Sequence, residues 1–179
     1  PEIGGGLCQI GTTLFRMAMM SGLPITERRN HSLVVSYYND LENNLPGTDA
    51  TIYDPAPDFK FKNDTGSYVL IQTEMDEKDG FLYFSLWGKS DGRKGSYTKP
   101  EVKKWIGYGP TKIVETTKLA VEEKKCQHAY RGAETSFTYT RDLPDGSKEI
   151  KLFESYYRPL PEICLVGVEF TDEGTAAIE

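Results

Sequence analysis

A cysteine set just behind three glycines, with a histidine one helix and one turn later, is the pattern in this chain best suited to covalent chemistry. The stretch "GGGLCQIGTTLFRMAMMSGLP" runs from Gly4 to Pro24 and carries Cys8 at the start of a helical pattern. Backbone N–H groups in the first turn of a helix have no intrahelical partner, and the helix dipole there favours an anion. A thiol so placed loses its proton more easily and becomes a nucleophile. The preceding Gly5 and Gly6 let a substrate approach the backbone and leave donors free to hold an oxyanion. Taken alone, a cysteine in this position reads equally well as a small buried hydrophobe.

The second side chain is His31. A helix of about 15 residues rises ~22 Å, and the return from Pro24 to His31 spans about eight residues, or ~26 Å if extended. The turn at Gly22–Pro24 reverses the chain, so His31 should arrive level with the helix N-terminus and beside Cys8. A Cys–His pair of this kind is an arrangement for thiol acyl transfer; a core histidine satisfied by a carbonyl is the plain alternative. A working imidazole needs an acceptor to orient it. Asp49 is the first choice, with Asp54 and Asp58 as alternatives, and turn capping is open to all three. Gln9, Thr12 and Thr13 could donate to a substrate or cap the helix. Arg28 or Arg29 could pair with a substrate carboxylate, solvated charge being the other reading.

These side chains depend on a small set of elements. Leu7, Ile10, Leu14, Met17 and Ala18 follow helical spacing and predict one core-facing stripe, while Phe15 and Met19 lie on a neighbouring face beside Cys8 and Thr12, which suggests burial from two sides. The helix is expected from Leu7 to Ser21, stopped by Gly22 and Pro24. "ITERRNHSLVVSYY", Ile25–Tyr38, predicts a strand with His31, Leu33, Val35 and Tyr37 on one face. "DATIYD" and "DFKFKN" read as short strands, and "SYVLIQTEMD" with "FLYFSLWG" as a hairpin. The polar, glycine-rich run Gly88–Pro100 marks a boundary. Everything after it reads as strand, with a hairpin turn at Asp145-Gly146. The expectation is therefore an α+β fold: residues 1–90 with one nucleophile-bearing helix packed on a mostly antiparallel sheet, residues 98–170 a small all-β domain, and residues 171–179 a frayed tail.

Composition excludes several classes. The 179 residues include 38% hydrophobic and 12% aromatic side chains, which suits a folded protein. A net charge of −6, with basic residues scattered among acids, argues against nucleic acid as partner. No apolar run approaches the roughly 20 residues of a membrane span. Three cysteines and two histidines, His31 and His128, match no metal spacing, so neither a metal nor another cofactor is expected. The odd cysteine count suggests one pair and one working thiol. The chain opens on Pro1 without a methionine or signal-like region, and is expected to be a fragment whose upstream part, any export signal included, is missing.

At this point "GGGLCQIGTTLFRMAMMSGLPITERRNHS" resembles the signature of the VanW family, the accessory vancomycin-resistance proteins of Gram-positive envelopes, and "PGTDATIYDPAPDFKFKNDT" is similar to that family's second block. The resemblance covers about Pro1 to Gly88. From Thr98 to Val168, "YRGAETSFTYTRDLPDGSKEIKLFESYYRPLPEICLVGV" resembles the G-five module often attached to VanW domains and thought to bind wall glycan. That context implies an extracellular, wall-associated protein, in which a disulfide between Cys126 and Cys164 is one possibility. The resemblance further implies L,D-transpeptidase-like acyl transfer on peptidoglycan stem peptides, with Cys8 as nucleophile and His31 as base. The alternatives are a non-catalytic wall-binding protein that uses the helix start as an anion site, and a cysteine peptidase or amidase in which water is the acceptor.

Overall fold

The structure, a computed structural model, describes residues 4–169; the expected tail at 171–179 lies outside them. The helix α1 spans Leu7–Met20. Its buried residues are Gly11, Thr12, Phe15, Ala18 and Met19. The core-facing arc is therefore centred on Phe15 and not on the Leu7 stripe, and Leu7 is about half exposed at 49%. The reason is what α1 meets: a set of aromatic side chains supplied by strands far along the chain.

Those strands are β9 (Gly132–Asp142) and β10 (Lys148–Tyr157), an antiparallel pair in continuous register from Lys148↔Asp142 to Tyr157↔Ala133. The other edge of β9 is taken first by β5 (Lys94–Tyr97) and then by β6 (Glu101–Ile106). Period-two alternation turns Phe153, Ser155 and Tyr157 of β10 inward while their neighbours face out. Phe15 packs edge-on to Phe153 and Phe59, with ring centroids 5.5 and 5.7 Å apart. Phe137 stacks on Phe153 at 5.1 Å. Met19, Leu23, Ile25, Ala50 and Tyr139 complete the core. The C-terminal end of α1 lies so close to β5 that a Cβ on Gly95 would stand 1.8 Å from the Met19 carbonyl oxygen.

The remaining strands are peripheral. β1 (Ile25–Glu27) and β2 (Lys60–Phe61) form a short ladder. β3 (Val69–Asp76) and β4 (Phe81–Gly88) form a two-stranded hairpin. β7 (Lys112–Thr116), β11 (Ile163–Gly167) and β8 (Lys124–Gln127) make a three-stranded sheet with β11 in the middle. A disulfide joins Cys126 to Cys164, directly opposite each other on β8 and β11. No helix among the described residues is long and apolar enough to cross a membrane.

The α+β expectation is corrected. Strand accounts for 41% of the structure and helix for 10%, so the fold is dominated by its sheets. The helix meets β1 and β4 of the first ninety residues, but it also packs against β5 and the aromatic side chains of β9 and β10 from the second half. Beyond Glu27 the expected strand to Tyr38 gives way to irregular backbone and a short 3-10 turn, Ser36–Tyr38. "DATIYD" is likewise not a strand. In that region the backbone groups are met one at a time, by single bonds such as Thr51 N–H to the Arg29 carbonyl (2.8 Å) and Arg158 N–H to the Ser32 carbonyl (2.8 Å), rather than by a ladder. Within the polar stretch Gly88–Pro100, the segment Lys94–Tyr97 is itself a strand of the central sheet.

Candidate active site

Cys8 is the second residue of α1 and is partly buried. The helix opens with Gly6 as N-cap and no side-chain cap; the N–H groups of Gln9 and Ile10 both bond the Gly6 carbonyl at 3.1 Å. The Cys8 N–H makes no hydrogen bond among the described residues, so a donor stands beside the sulfur where an oxyanion would form. The sulfur shares a hydrogen bond with Thr51 Oγ1 at 3.4 Å and its S–H donates to the Ile52 carbonyl at 3.5 Å. Gly11 makes this approach possible: a Cβ there would lie 2.7 Å from Ile52 Cδ1. Thr12 seals the contact, its hydroxyl donating to the Ala50 carbonyl and accepting from the Ala50 N–H, both at 3.1 Å.

His31 sits in irregular backbone after β1, with its ring stacked on Tyr38 at 4.3 Å between centroids. Asp49 Oδ2 accepts from both the His31 backbone N–H (2.7 Å) and ring Nδ1 (2.6 Å), which fixes the ring's orientation and leaves Nε2 free. Nε2 is buried and has no hydrogen-bond partner among the described residues. Imidazole and thiol are close enough to bias one another, although the S–H is turned toward Thr51 and Ile52. Burial opposes ionisation of Cys8, but Thr51, the backbone at Ile52 and the neighbouring His31 together hold its pKa below the ordinary thiol value. Burial likewise opposes the imidazolium, and the Asp49 carboxylate and the Cys8 sulfur outweigh it, so the His31 pKa is raised. Both shifts favour a thiolate–imidazolium pair.

Asp49 is itself held from several sides. It is 2% exposed and accepts from Tyr157 Oη and from Arg28 Nη2 (3.2 Å), while Arg28 Nε donates to its carbonyl (2.7 Å). Burial pushes this carboxyl up, yet His31, Arg28 and Tyr157 together keep its pKa below the usual carboxylate range. Arg28 also donates to Ser155 Oγ and the Gly47 carbonyl, with its guanidinium over the rings of Phe15 and Phe153. Arg16 binds the carbonyls of Tyr38, Asn39 and Thr48, which fastens the Tyr38 loop beneath His31.

The structure thus brings together Cys8, His31 and Asp49. Asp54 makes no contact with His31, and Asp58 caps its own turn through the Phe59 N–H. Two residues expected to meet substrate do not: the Arg28 side chain is 3% exposed and committed to Asp49, and Thr12 is 3% exposed and committed to Ala50. Thr13 donates to the Gln9 carbonyl within the helix. Gly5, Gly6, Gln9 and Arg29 remain on the exposed surface. Tyr157, Tyr38, Thr51 and Arg16 belong to the site and were not singled out from sequence; only the inward alternation of "FESYY" hints at Tyr157. The cluster Cys126, Glu162 and Cys164 has both sulfurs in the disulfide, leaving a metal one carboxylate.

Two cavities flank the pair. One, of about 450 Å³, is lined by Arg29, Asn30, His31, Thr51, Tyr156 and Arg158 among others. The other, of about 440 Å³, runs past Gly6, Gln9, Tyr37, Tyr38 and Leu41 to Phe81 in the β3–β4 hairpin. The stacked rings of His31 and Tyr38 stand between them.

Comparison with known proteins bears on the first half of the chain. Residues 1–87 match the family model described as VanW like protein. Over 72 residues the chain is 38% identical to the uncharacterized protein YoaR of Bacillus subtilis, covering 40% of this chain and 22% of that protein. Over 75 residues it is 32% identical to the vancomycin B-type resistance protein VanW of Enterococcus faecalis, covering 42% of this chain and 27% of that protein. The matched stretch therefore spans about a quarter of the length of these curated relatives. No solved structure matches the chain. The region that holds Cys8, His31 and Asp49 thus lies within residues 1–87, the stretch that is similar to the VanW like protein family.

Proposed function

We propose that this protein is a cell-envelope thiol acyltransferase acting on peptidoglycan stem peptides, with Cys8 as nucleophile, His31 as proton carrier and Asp49 as the group that orients His31. The observation that carries the reading is the line from a helix-start thiol through an imidazole to a buried carboxylate, each group's pKa displaced in the direction that nucleophilic catalysis requires. The wall substrate is inferred from the VanW-like domain and from the likeness to a vancomycin resistance protein. The Cys126–Cys164 disulfide favours an exported setting, since such bonds persist in oxidising compartments. The second half, as a G-five-like module, would keep the enzyme on wall glycan.

In the reaction, the Cys8 thiolate attacks the scissile carbonyl carbon of the donor stem, and the Cys8 N–H steadies the oxyanion. The C–N bond breaks as the His31 imidazolium gives its Nε2 proton to the departing amine, leaving a thioester on Cys8. An amine from a second stem attacks the thioester carbonyl and gives its proton to His31. A new amide forms, and the thiolate–imidazolium pair is restored.

The test is incubation of the protein with stem tetrapeptides, followed by intact-mass analysis and product separation. The expected result is an acyl adduct on Cys8 and cross-linked dimers, both lost in Cys8→Ala. Full turnover by Cys8→Ala overturns the assignment. Cleavage without dimers makes the protein a hydrolase, and stem binding that survives in Cys8→Ser with no adduct makes it a binder.

A further inference from the structure

The cavity lined by His31 carries two guanidinium groups that no other group among the described residues engages. Arg16, Arg28, Arg93 and Arg141 all donate to carbonyls or carboxylates, and Arg131 lies over the Trp105 ring. Arg29 and Arg158, by contrast, are exposed and make no side-chain hydrogen bond or ion pair among the described residues. Both line the same cavity of about 450 Å³. None of its lining residues is acidic, in a chain whose net charge is −6.

Their placement is built into the backbone. The Arg29 carbonyl accepts from the Thr51 N–H, and Thr51 is the residue whose hydroxyl meets Cys8. The Arg158 N–H donates to the Ser32 carbonyl, next to His31. The Asn30 amide donates to the carbonyls of Tyr156 and His31, both at 2.8 Å. The end of β10 is thereby stitched to the loop that carries His31, and two guanidiniums from distant parts of the chain face one space beside the reacting pair. Guanidinium forks match a carboxylate in two parallel hydrogen bonds, and aqueous competition weakens as a cavity is filled.

We propose that this cavity is the carboxylate subsite of the acyl donor: Arg29 and Arg158 hold the free α-carboxylate of the terminal amino acid that departs when Cys8 is acylated. The inference rests on the thiol acyl-transfer reading and narrows it. The donor must end one residue beyond the scissile carbonyl, so an internal peptide bond is a poor substrate. It also assigns part of donor recognition to Arg158, which lies outside the VanW-like residues 1–87.

The experiment compares two donor peptides that differ only at the C-terminus, one a free acid and one a primary amide, by acylation of Cys8 in the intact protein. The free acid should be preferred by about tenfold or more, as expected for charge-assisted hydrogen bonds. Arg158→Ala and Arg29→Ala should each remove most of that preference by raising KM for the acid, with the amide unchanged. A second readout needs no peptide: the rate ratio of Cys8 alkylation by iodoacetate against iodoacetamide should fall several-fold in each arginine variant. Equal acylation by acid and amide, or arginine variants that slow both alike, overturns the subsite while leaving acyl transfer intact. If neither peptide acylates Cys8, the acyl-transfer reading fails, and the alkylation ratio alone decides whether the cavity selects anions. An unchanged ratio overturns the subsite there too.

Discussion

The Tyr157 hydroxyl donates to Oδ1 of Asp49, a residue 108 positions earlier in the chain, while Oδ2 of the same carboxylate holds His31. One buried carboxylate thus joins the last inward-facing residue of β10 to the imidazole beside Cys8. The consequence is that the site is not contained in the VanW-like stretch: its innermost anchor comes from the central sheet. Tyr157 cannot ionise in this place, because burial and the adjacent Asp49 charge drive its pKa far above the ordinary range. It therefore stays neutral and keeps the proton that it donates to Asp49.

Asp49→Asn removes the charge that raises the His31 pKa. In the proposed first half-reaction the imidazolium protonates the departing amine, and that form is lost as pH rises through the His31 pKa. The alkaline limb of the acylation profile should therefore move to lower pH by about one unit or more, with a rate loss on the order of a hundredfold. Titration of the His31 ring by NMR in both proteins checks this independently of turnover.

Arg28 is the cationic partner of Asp49, buried and set over the rings of Phe15 and Phe153. Arg28→Ala leaves the carboxylate buried with one compensating charge fewer, and should cost about 3–5 kcal/mol. Asp49 has a depressed folded pKa, so its contribution to stability is present above the unfolded carboxylate value and is lost as pH falls through the folded one. Without Arg28 the folded value rises, and the loss should begin at higher pH. Urea titrations at pH 7 and at a series of acid pH values measure both effects.

Gly95→Ala and Gly11→Ala should differ sharply. At Gly95 the new Cβ meets the Met19 carbonyl at 1.8 Å and the Gly22 nitrogen at 2.5 Å, both backbone atoms that cannot move away without shifting α1 off β5. A loss of about 4 kcal/mol or more is expected. At Gly11 the first contact is the end of the Ile52 side chain, which can yield. Overpacking of about 1–3 kcal/mol is partly offset there by the better helix propensity of alanine, about 1 kcal/mol. Thermal melts rank the two, and the Gly11 variant should also slow Cys8 alkylation by displacing Thr51.

The neighbourhood of Cys8 and His31 could be read from sequence because it depends on lengths: the rise of one helix and the reach of the chain that returns from Pro24. The reach held although the strand assumed to supply it ends at Glu27. The β-branched residues of "HSLVV" predict a ladder, but the chain there is fixed by single hydrogen bonds, from Thr51 to Arg29 just before it and from Arg158 to Ser32 within it. Arg28 and Arg29 are adjacent and chemically alike, so nothing local distinguishes the one buried against Asp49 from the one left facing a cavity. That difference is set by Phe15, Phe153 and Ser155, which come from α1 and β10. Of the two α1 faces expected to be buried, the one around Phe15 and Met19 is, whereas the stripe that starts at Leu7 is only partly so. Apolar residues occupy two adjoining faces of α1, and which of them meets the core is decided by Phe137 and Phe153, more than a hundred residues downstream.

The most direct test of the account is the pH dependence of Cys8 alkylation in the intact protein, measured beside His31→Ala. The apparent thiol pKa should lie below the ordinary value of about 8.5 and move upward when the imidazole is removed. A thiol that titrates at the ordinary value, and does so unchanged in His31→Ala, would contradict it.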